Sequence, residues 1–288
     1  MAGGEPVKVE KLLQVRDLTI DYCAAELRTH RPVAGASFDI APGEVVGLMG
    51  ESGCGKTSIA LALLNLLPKD RTRVNGSILF RGQELLTMRE SSLRKIRGAA
   101  LSIVFQEPEA ALSPVMRVGD QIAEVIHAHR GWGWKRCRAE AASAIAAVGL
   151  PPTERIFGAY PHQLSGGQRQ RIVLAQALAC APALVIADEP TASLDAQSQA
   201  DFLDLLRNLK IQSSVSVLLI SHSPEVQASL ADRLLVMQSG KIAEDTDFAE
   251  LYRRPSHPGT RTVLPPNHRA EVERVAKFAL VSQGPSTR

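Results

Sequence analysis

The sequence lacks several features that would assign it to a specialised class of protein. It has only four cysteines among 288 residues, with no C-x-x-C spacing: Cys23, Cys54, Cys137 and Cys180. Scattered thiols of this kind are typical of a reduced, cytosolic protein and argue against a disulfide framework. The formal net charge is only +3. Because so small and dispersed an excess makes no basic stripe, we expect no nucleic-acid partner.

Long apolar segments are also missing. The first residues, MAGGEPVKVEKLL, have no apolar core of the kind that signal peptides carry. The longest apolar-looking stretch, residues 172–187, contains Gln176 and Pro182 and is too short to span a bilayer. A helix followed by a buried strand is the better interpretation. With 45% hydrophobic and 22% charged residues, the composition predicts a globular protein with ample material for a core.

One loop has the form G-x-x-x-x-G-K-[ST], which is a specific signal for phosphate binding. It follows the apolar run at residues 45–49. Its residues are Gly50, Glu51, Ser52, Gly53, Cys54, Gly55, Lys56, Thr57 and Ser58. The backbone N–H groups of such a loop cradle phosphates, and its glycines allow a close approach. Lys56 can reach the β- and γ-phosphates, and Thr57 can ligate Mg²⁺.

Two later motifs make a chance match implausible. LSGGQ occupies residues 164–168, and LVIADEP, an apolar strand ending in two carboxylates, occupies residues 184–190. With these motifs in this order, residues 12–265 resemble the nucleotide-binding subunit of an ATP-binding cassette (ABC) transporter. The resemblance implies ATP and Mg²⁺ as cofactors. It also implies a fold, namely a P-loop NTPase ABC cassette of the α/β class with a RecA-like core, an antiparallel β subdomain and an inserted α-helical subdomain.

The same resemblance implies roles for residues outside the phosphate loop. Tyr22 stands where the family places an aromatic residue under the adenine. Gln106, Asp195 and His222 match the Q-loop, D-loop and switch histidine. The LSGGQ motif would close over the ATP of a second, head-to-tail subunit, through Ser165, Gly166, Gly167 and Gln168.

ATP hydrolysis needs a held γ-phosphate, neutralised charge and one water aimed in line. Asp188 ends a strand and can hold the Mg²⁺ together with Thr57 and Gln106. Glu189 is the candidate general base or water-positioning residue, for which geometry matters before pKa. His222 would orient Glu189 and hydrogen-bond the γ-phosphate. We therefore predict Glu189, His222 and Gln106 as the catalytic residues.

The pattern of apolar residues predicts how the chain is organised. Alternation over residues 12–22 indicates an antiparallel strand, and residues 57–67 read as a helix stopped by Pro68. Helices at 118–129 and 135–148 mark the inserted subdomain, which we place at about 85–164. Farther on, strands at 183–187 and 215–220 flank a helix at 196–209, which argues for a parallel sheet. Residues 234–237 and 241–243 suggest a closing hairpin. The expected organisation is an N-terminal segment (1–11), the ATP-binding domain (12–265) and a tail (266–288).

Three segments narrow the family. Residues 104–122 and 160–178 resemble the dipeptide, oligopeptide and nickel importers, and residues 253–264 resemble their tail motif. An aromatic residue usually precedes the threonine of that motif, where this chain has Gly259. Many members then carry a cysteine cluster for an iron–sulfur centre, whereas this chain has no cysteine after Cys180. The short tail leans toward the nickel or metallophore branch. Substrates are therefore expected to be peptides or nickel and other metal chelates.

The resemblance also implies partners and a location. Because no segment of this chain spans a membrane, integral-membrane permeases would have to supply the passage. We expect a second, different ATP-binding subunit, a solute-binding protein acting indirectly, and a peripheral location on the cytoplasmic face of the membrane. The coupling surface should lie near residues 107–121. The alternative is a soluble accessory ABC ATPase of phosphonate metabolism, or another non-transport ABC ATPase. Two-cassette and coiled-coil members fit less well, because this chain has one cassette and no sustained heptads.

Overall fold

The computed structural model describes residues 11–23, 29–212, 214–253, 256–257 and 260. Residues 1–10 of the expected N-terminal segment (1–11), the tail 266–288 and most of the motif at 253–264 lie outside them. The first sheet is antiparallel, in the order β2-β1-β4-β5. Its strands are β1 (Leu13–Cys23), β2 (Thr29–Ile40), β4 (Thr72–Phe80) and β5 (Gln83–Glu84). The strand predicted at 12–22 is confirmed as β1, which pairs with both β2 and β4.

A second sheet forms the centre of the molecule and follows the order β10-β9-β3-β8-β7-β6. Its strands are β3 (Val45–Gly50), β6 (Leu101–Val104), β7 (Leu184–Asp188), β8 (Ser216–Ile220), β9 (Arg233–Gln238) and β10 (Lys241–Thr246). All neighbours pair in parallel except the predicted hairpin, β9 with β10. The fully buried β3 and β7 are typical of strands covered on both faces.

The helices cover these sheets and build a separate layer. They are α1 (Lys56–Leu63), α2 (Glu90–Ile96), α3 (Pro108–Ala111), α4 (Val118–Arg130), α5 (Trp134–Ala147), α6 (Glu154–Phe157), α7 (Gly166–Leu178), α8 (Ala196–Gln212), α9 (Pro224–Leu230) and α10 (Phe248–Arg253). Among the described residues, no helix is both long and apolar enough to cross a bilayer. Helix α1 ends at Leu63, earlier than the predicted Leu67, and Asn65 beyond it has a positive φ of 49°.

The helical insertion starts later than the expected residue 85. Leu85 and Leu93 pack into the core that α1 shares with the antiparallel sheet. Residues 101–104 then form β6, a strand of the central sheet. The continuous helical layer begins with α3 at Pro108, and its own core joins α4, α5 and α7. A strand of only four residues shows no readable alternation, which is why the sequence pattern missed this boundary.

The parallel sheet brings four motifs to one edge. The phosphate loop follows β3, Gln106 follows β6, the carboxylates stand at the end of β7, and His222 follows β8. The carboxyl ends of parallel strands share an edge, and open α/β sheets bind ligands at that edge. Residues far apart in the sequence are therefore neighbours by topology alone.

Candidate nucleotide-binding and hydrolysis site

The phosphate loop connects β3 to α1 in the conformation that its glycines permit. Gly55 caps α1 with a φ of 106°, and a Cβ there would lie 2.6 Å from the carbonyl oxygen of Pro32. Only glycine fits such a position without strain. The Nζ of Lys56 donates to the carbonyl oxygens of Gly50 at 2.8 Å and Glu51 at 2.9 Å. The ammonium group is thus held on the rim of the loop, beside the helix N-terminus that favours phosphate.

A buried carboxylate lies next to this loop. Asp188 is only 5% exposed and lies beside the Thr57 side chain. Burial raises its pKa above the ordinary value, and the neighbouring Glu189 adds to the effect, against the opposing influence of Thr57 and Lys56. A buried carboxylate is costly unless a cation or donors stabilise it. Carboxylate and hydroxyl oxygens are the donors that Mg²⁺ prefers, so Asp188 and Thr57 fit that ion.

Glu189 and His222 are in direct contact at the ends of β7 and β8. The backbone N–H of His222 donates to Oε1 of Glu189 at 3.0 Å, and the ring Nδ1 lies 2.9 Å from the same oxygen. Glu189 has a φ of 47°, although it is not glycine. Left-handed backbone is uncommon for such a residue and concentrates at functional sites. The strained conformation, which the sequence did not reveal, therefore supports a functional role for this carboxylate.

These groups surround one cavity of about 390 Å³. It is lined by Tyr22, His30, Pro32, Ser52, Gly53, Gly55, Lys56, Thr57, Ser58, Gln106, Asp188, Glu189 and His222. The Tyr22 hydroxyl lies 3.0 Å from the Ser58 hydroxyl, which ties β1 to the start of α1. The cavity therefore brings together the predicted aromatic residue, phosphate loop, Q-loop glutamine, carboxylate pair and switch histidine.

Three predicted residues of the phosphate loop, Gly50, Glu51 and Cys54, do not line the cavity, and the five predicted residues of the LSGGQ motif and D-loop lie away from it. Ser165 caps α7: its hydroxyl accepts from the N–H of Gln168, whose side-chain oxygen accepts from the N–H of Ser165. Gly166 and Gly167 form the first turn of that helix. The Asp195 carboxylate caps α8, accepting from the backbone N–H and hydroxyl of Ser198 at 2.9 Å and 2.7 Å. Their contact with a nucleotide stays a prediction that needs a second subunit.

Two cavity residues were not predicted from the sequence. His30 and Pro32 belong to β2, and His30 lies directly opposite Tyr22 in the β1–β2 pair. Neither residue belongs to a motif. Only the register of β2 against β1 places them at the cavity, and the sequence pattern did not provide that register.

Truncating Tyr22 tests whether its ring binds the base. We expect Tyr22→Ala to raise the ATP KM with little change in kcat, since stacking contributes equally to substrate and transition-state binding. Base–aromatic stacking in nucleic-acid binders is worth about 1–3 kcal/mol, which corresponds to about 5- to 150-fold. Tyr22→Phe keeps the ring and loses only the Ser58 contact, so it should be nearly silent. Steady-state ATPase kinetics check both variants. An unchanged KM for Tyr22→Ala would mean that Tyr22 only packs against its neighbours and does not bind the base.

A phosphate loop and an Asp-Glu strand end around one cavity, with a helical layer inserted between Gln106 and the carboxylates, define a P-loop ATPase of the cassette type. Comparison with known proteins gives the same answer. The sequence model of the ABC transporter family matches residues 33–192. The chain belongs to this family and is an ABC ATPase, which confirms the predicted fold and activity.

Individual relatives extend the match over most of the chain. The dipeptide transport ATP-binding protein DppD of Bacillus subtilis is 42% identical over 257 residues, covering 89% of this chain and 76% of that protein. The oligopeptide transport ATP-binding protein OppD of Mycobacterium bovis is 42% identical over 254 residues, 88% of this chain and 41% of that protein. The predicted resemblance to peptide-importer subunits is confirmed.

A solved structure supports the fold. The ATP-binding cassette MJ0796, in a dimeric post-hydrolysis state with ADP and Pi, superimposes with a TM-score of 0.72 at 25% identity. The match covers 82% of this chain and 98% of the cassette. Family membership and this fold together imply that the chain binds nucleotide.

Proposed function

We propose that this chain is the ATP-hydrolysing subunit of an ABC importer for peptides, located on the cytoplasmic face of the membrane. The observation that carries the proposal is the cavity in which Lys56, Asp188, Glu189 and His222 meet. The names of the relatives support peptides as the substrate class. The names of these relatives mention neither nickel nor metal chelates, the other predicted substrates.

The proposed hydrolysis assigns one task to each group. The phosphate loop holds the β- and γ-phosphates, with Lys56 as its cation. Both hydrogen bonds from His222 reach Oε1 of Glu189, so Oε2 is the oxygen that would take a proton from the attacking water. His222, whose side chain is 72% exposed, can turn from this carboxylate toward the γ-phosphate. Thr57, Asp188 and Gln106 would hold Mg²⁺, which supplies charge neutralisation on the phosphates when bound.

The proposal includes a second cassette. The residues of LSGGQ do not line this chain's own cavity, and Ser165 begins a helix of 13 residues whose N-terminus favours a phosphate. Such a surface is complete only against a nucleotide held by another subunit. A head-to-tail dimer, of two different ATP-binding chains, supplies one. The solved cassette of similar fold is described as dimeric, which supports a dimer.

Contact with the permeases is proposed at residues 107–121. This segment joins Gln106, in the cavity, to the start of α4. Its helix α3 is tied to the start of α7 by an ion pair between Glu109 and Arg169. Asp120, at the start of α4, pairs in turn with Arg138 of α5. A change at the γ-phosphate sensor can therefore reach the helical layer, and through it the LSGGQ motif.

Purification of the tagged chain from membranes tests this assignment. We expect two permease subunits and a second ATP-binding subunit to co-purify from gently solubilised membranes, identified by mass spectrometry. The same tag on an unrelated cytosolic protein is the control. Recovery of phosphonate-pathway proteins alone, with no permease, would favour the alternative of a non-transport accessory ATPase.

A further inference from the structure

At the end of the β1–β2 pair, His30 lies beside Tyr22, the residue predicted to stack on adenine. Tyr22 and His30 are directly opposite each other in this antiparallel pair. Side chains of opposed residues share a face of the sheet, with Cβ atoms about 4.5–5.5 Å apart. Both residues line the nucleotide cavity. The imidazole of His30 would therefore lie next to a base that stacks on the Tyr22 ring.

The positions of residues along β2 show how far His30 lies from the phosphate loop. Pro32 touches the phosphate loop, because its carbonyl oxygen is the atom that a Cβ on Gly55 would meet at 2.6 Å. His30 lies two residues farther along the strand, which corresponds to about 7 Å. In a nucleotide whose phosphates lie in the loop, the nucleoside would be the part level with Tyr22. The register places His30 there.

An ion pair next to Tyr22 and His30 holds their two strands together. Arg31 donates from Nε to Oδ1 of Asp21 at 2.6 Å and from a terminal nitrogen to Oδ2 at 3.0 Å. This bidentate pair joins the two strands directly beside Tyr22 and His30, and Arg31 lowers the pKa of Asp21. The register shifts between Ile20 and Tyr22, so two residues of β2 oppose Asp21. Bulges of this kind re-aim side chains beside functional sites.

We propose that His30 binds the nucleoside half of the nucleotide, by hydrogen bonding to the ribose hydroxyls or the base edge. An imidazole offers one donor and one acceptor, which matches the hydroxyl groups of ribose. The proposal rests on the nucleotide site described above and adds a binding residue to it. His30 is then a determinant of affinity for nucleotides over other polyphosphates.

The test compares two ligands that differ only in the nucleoside. ATP and inorganic tripolyphosphate share the phosphate chain, and only ATP reaches His30. By equilibrium binding, His30→Ala should weaken ATP about two- to tenfold, the effect of one net hydrogen bond. Tripolyphosphate affinity should not change. His30→Asn keeps a donor and an acceptor and should recover part of the loss. Thr29→Ala, the next residue on the opposite face of β2, is the matched control and should be silent.

Three other outcomes would overturn the proposal, and each identifies a different error in it. Equal ATP affinity in His30→Ala and the wild type would make His30 an exposed strand residue without a ligand. An equal loss of ATP and tripolyphosphate affinity would mean that the substitution distorts the phosphate loop. If Lys56→Ala leaves tripolyphosphate binding unchanged, the nucleotide site itself is wrong, and the role of His30 falls with it.

Discussion

ATP turnover is expected to fall by about 10²- to 10⁴-fold when Glu189 is replaced by glutamine, the range typical of a lost general base. The substitution keeps the size of the side chain and a hydrogen-bond acceptor for His222, at 2.9–3.0 Å in the native protein. It removes the charge that would take a proton from water. Because Glu189 is not part of the phosphate loop, ATP binding should persist.

The measurement is single-turnover hydrolysis together with equilibrium ATP binding. Glu140→Gln is the matched control, since it makes the same change on an exposed position of α5. Its turnover should equal that of the wild type. Turnover near the wild-type rate in Glu189→Gln, with binding intact, would remove Glu189 from the mechanism and leave His222 without the partner proposed for it.

Lys56→Ala should instead weaken ATP binding itself, by about 10- to 150-fold. Hydrogen bonds to charged groups contribute about 1.5–3 kcal/mol, and this lysine is the cation of the phosphate loop. Its ammonium group donates to two carbonyl oxygens of the same loop, at 2.8 and 2.9 Å, and lies 3.8 Å from the Cys54 sulfur. Its loss should therefore cost binding far more than folding.

Equilibrium binding of ATP and a thermal unfolding curve separate these two effects. Lys241→Ala removes an exposed lysine from β10 and serves as the control. We expect the unfolding midpoints of both variants to stay close to that of the wild type. Full ATP affinity in Lys56→Ala would contradict the assignment of residues 50–58 as the phosphate cradle.

Much of the central sheet and most of the site could be predicted because their signals are local. The phosphate loop is a contiguous motif between a strand and a helix, and residues 184–187 form an apolar run followed by two carboxylates, Asp188 and Glu189. The parallel strands predicted at 183–187 and 215–220 then place Asp188 and His222 at one edge. Gln106 was assigned from the family resemblance, because its strand β6 was not predicted. Contiguous motifs and simple topology therefore carried most of the prediction.

The remaining features depend on tertiary structure. The four residues of β6 are too few for a periodic signal, so the insertion was placed too early. His30 reaches the cavity only through the register of β2 against β1. The positive φ of Glu189 has no sequence signature at a residue that is not glycine. Asp195 caps its own helix in this single chain, a local alternative that the motif alone did not indicate.

The proposed function is tested most directly by the ATP turnover of this chain assembled in proteoliposomes with the proposed permeases and partner ATPase. The rate is measured with peptide-loaded binding protein, with empty binding protein, and for the Glu189→Gln variant. We expect slow turnover by the chain alone, a clear rise when the loaded binding protein is present, and no rise in the variant. A turnover rate that is the same with and without the permeases and the peptide-loaded binding protein would contradict the proposed function.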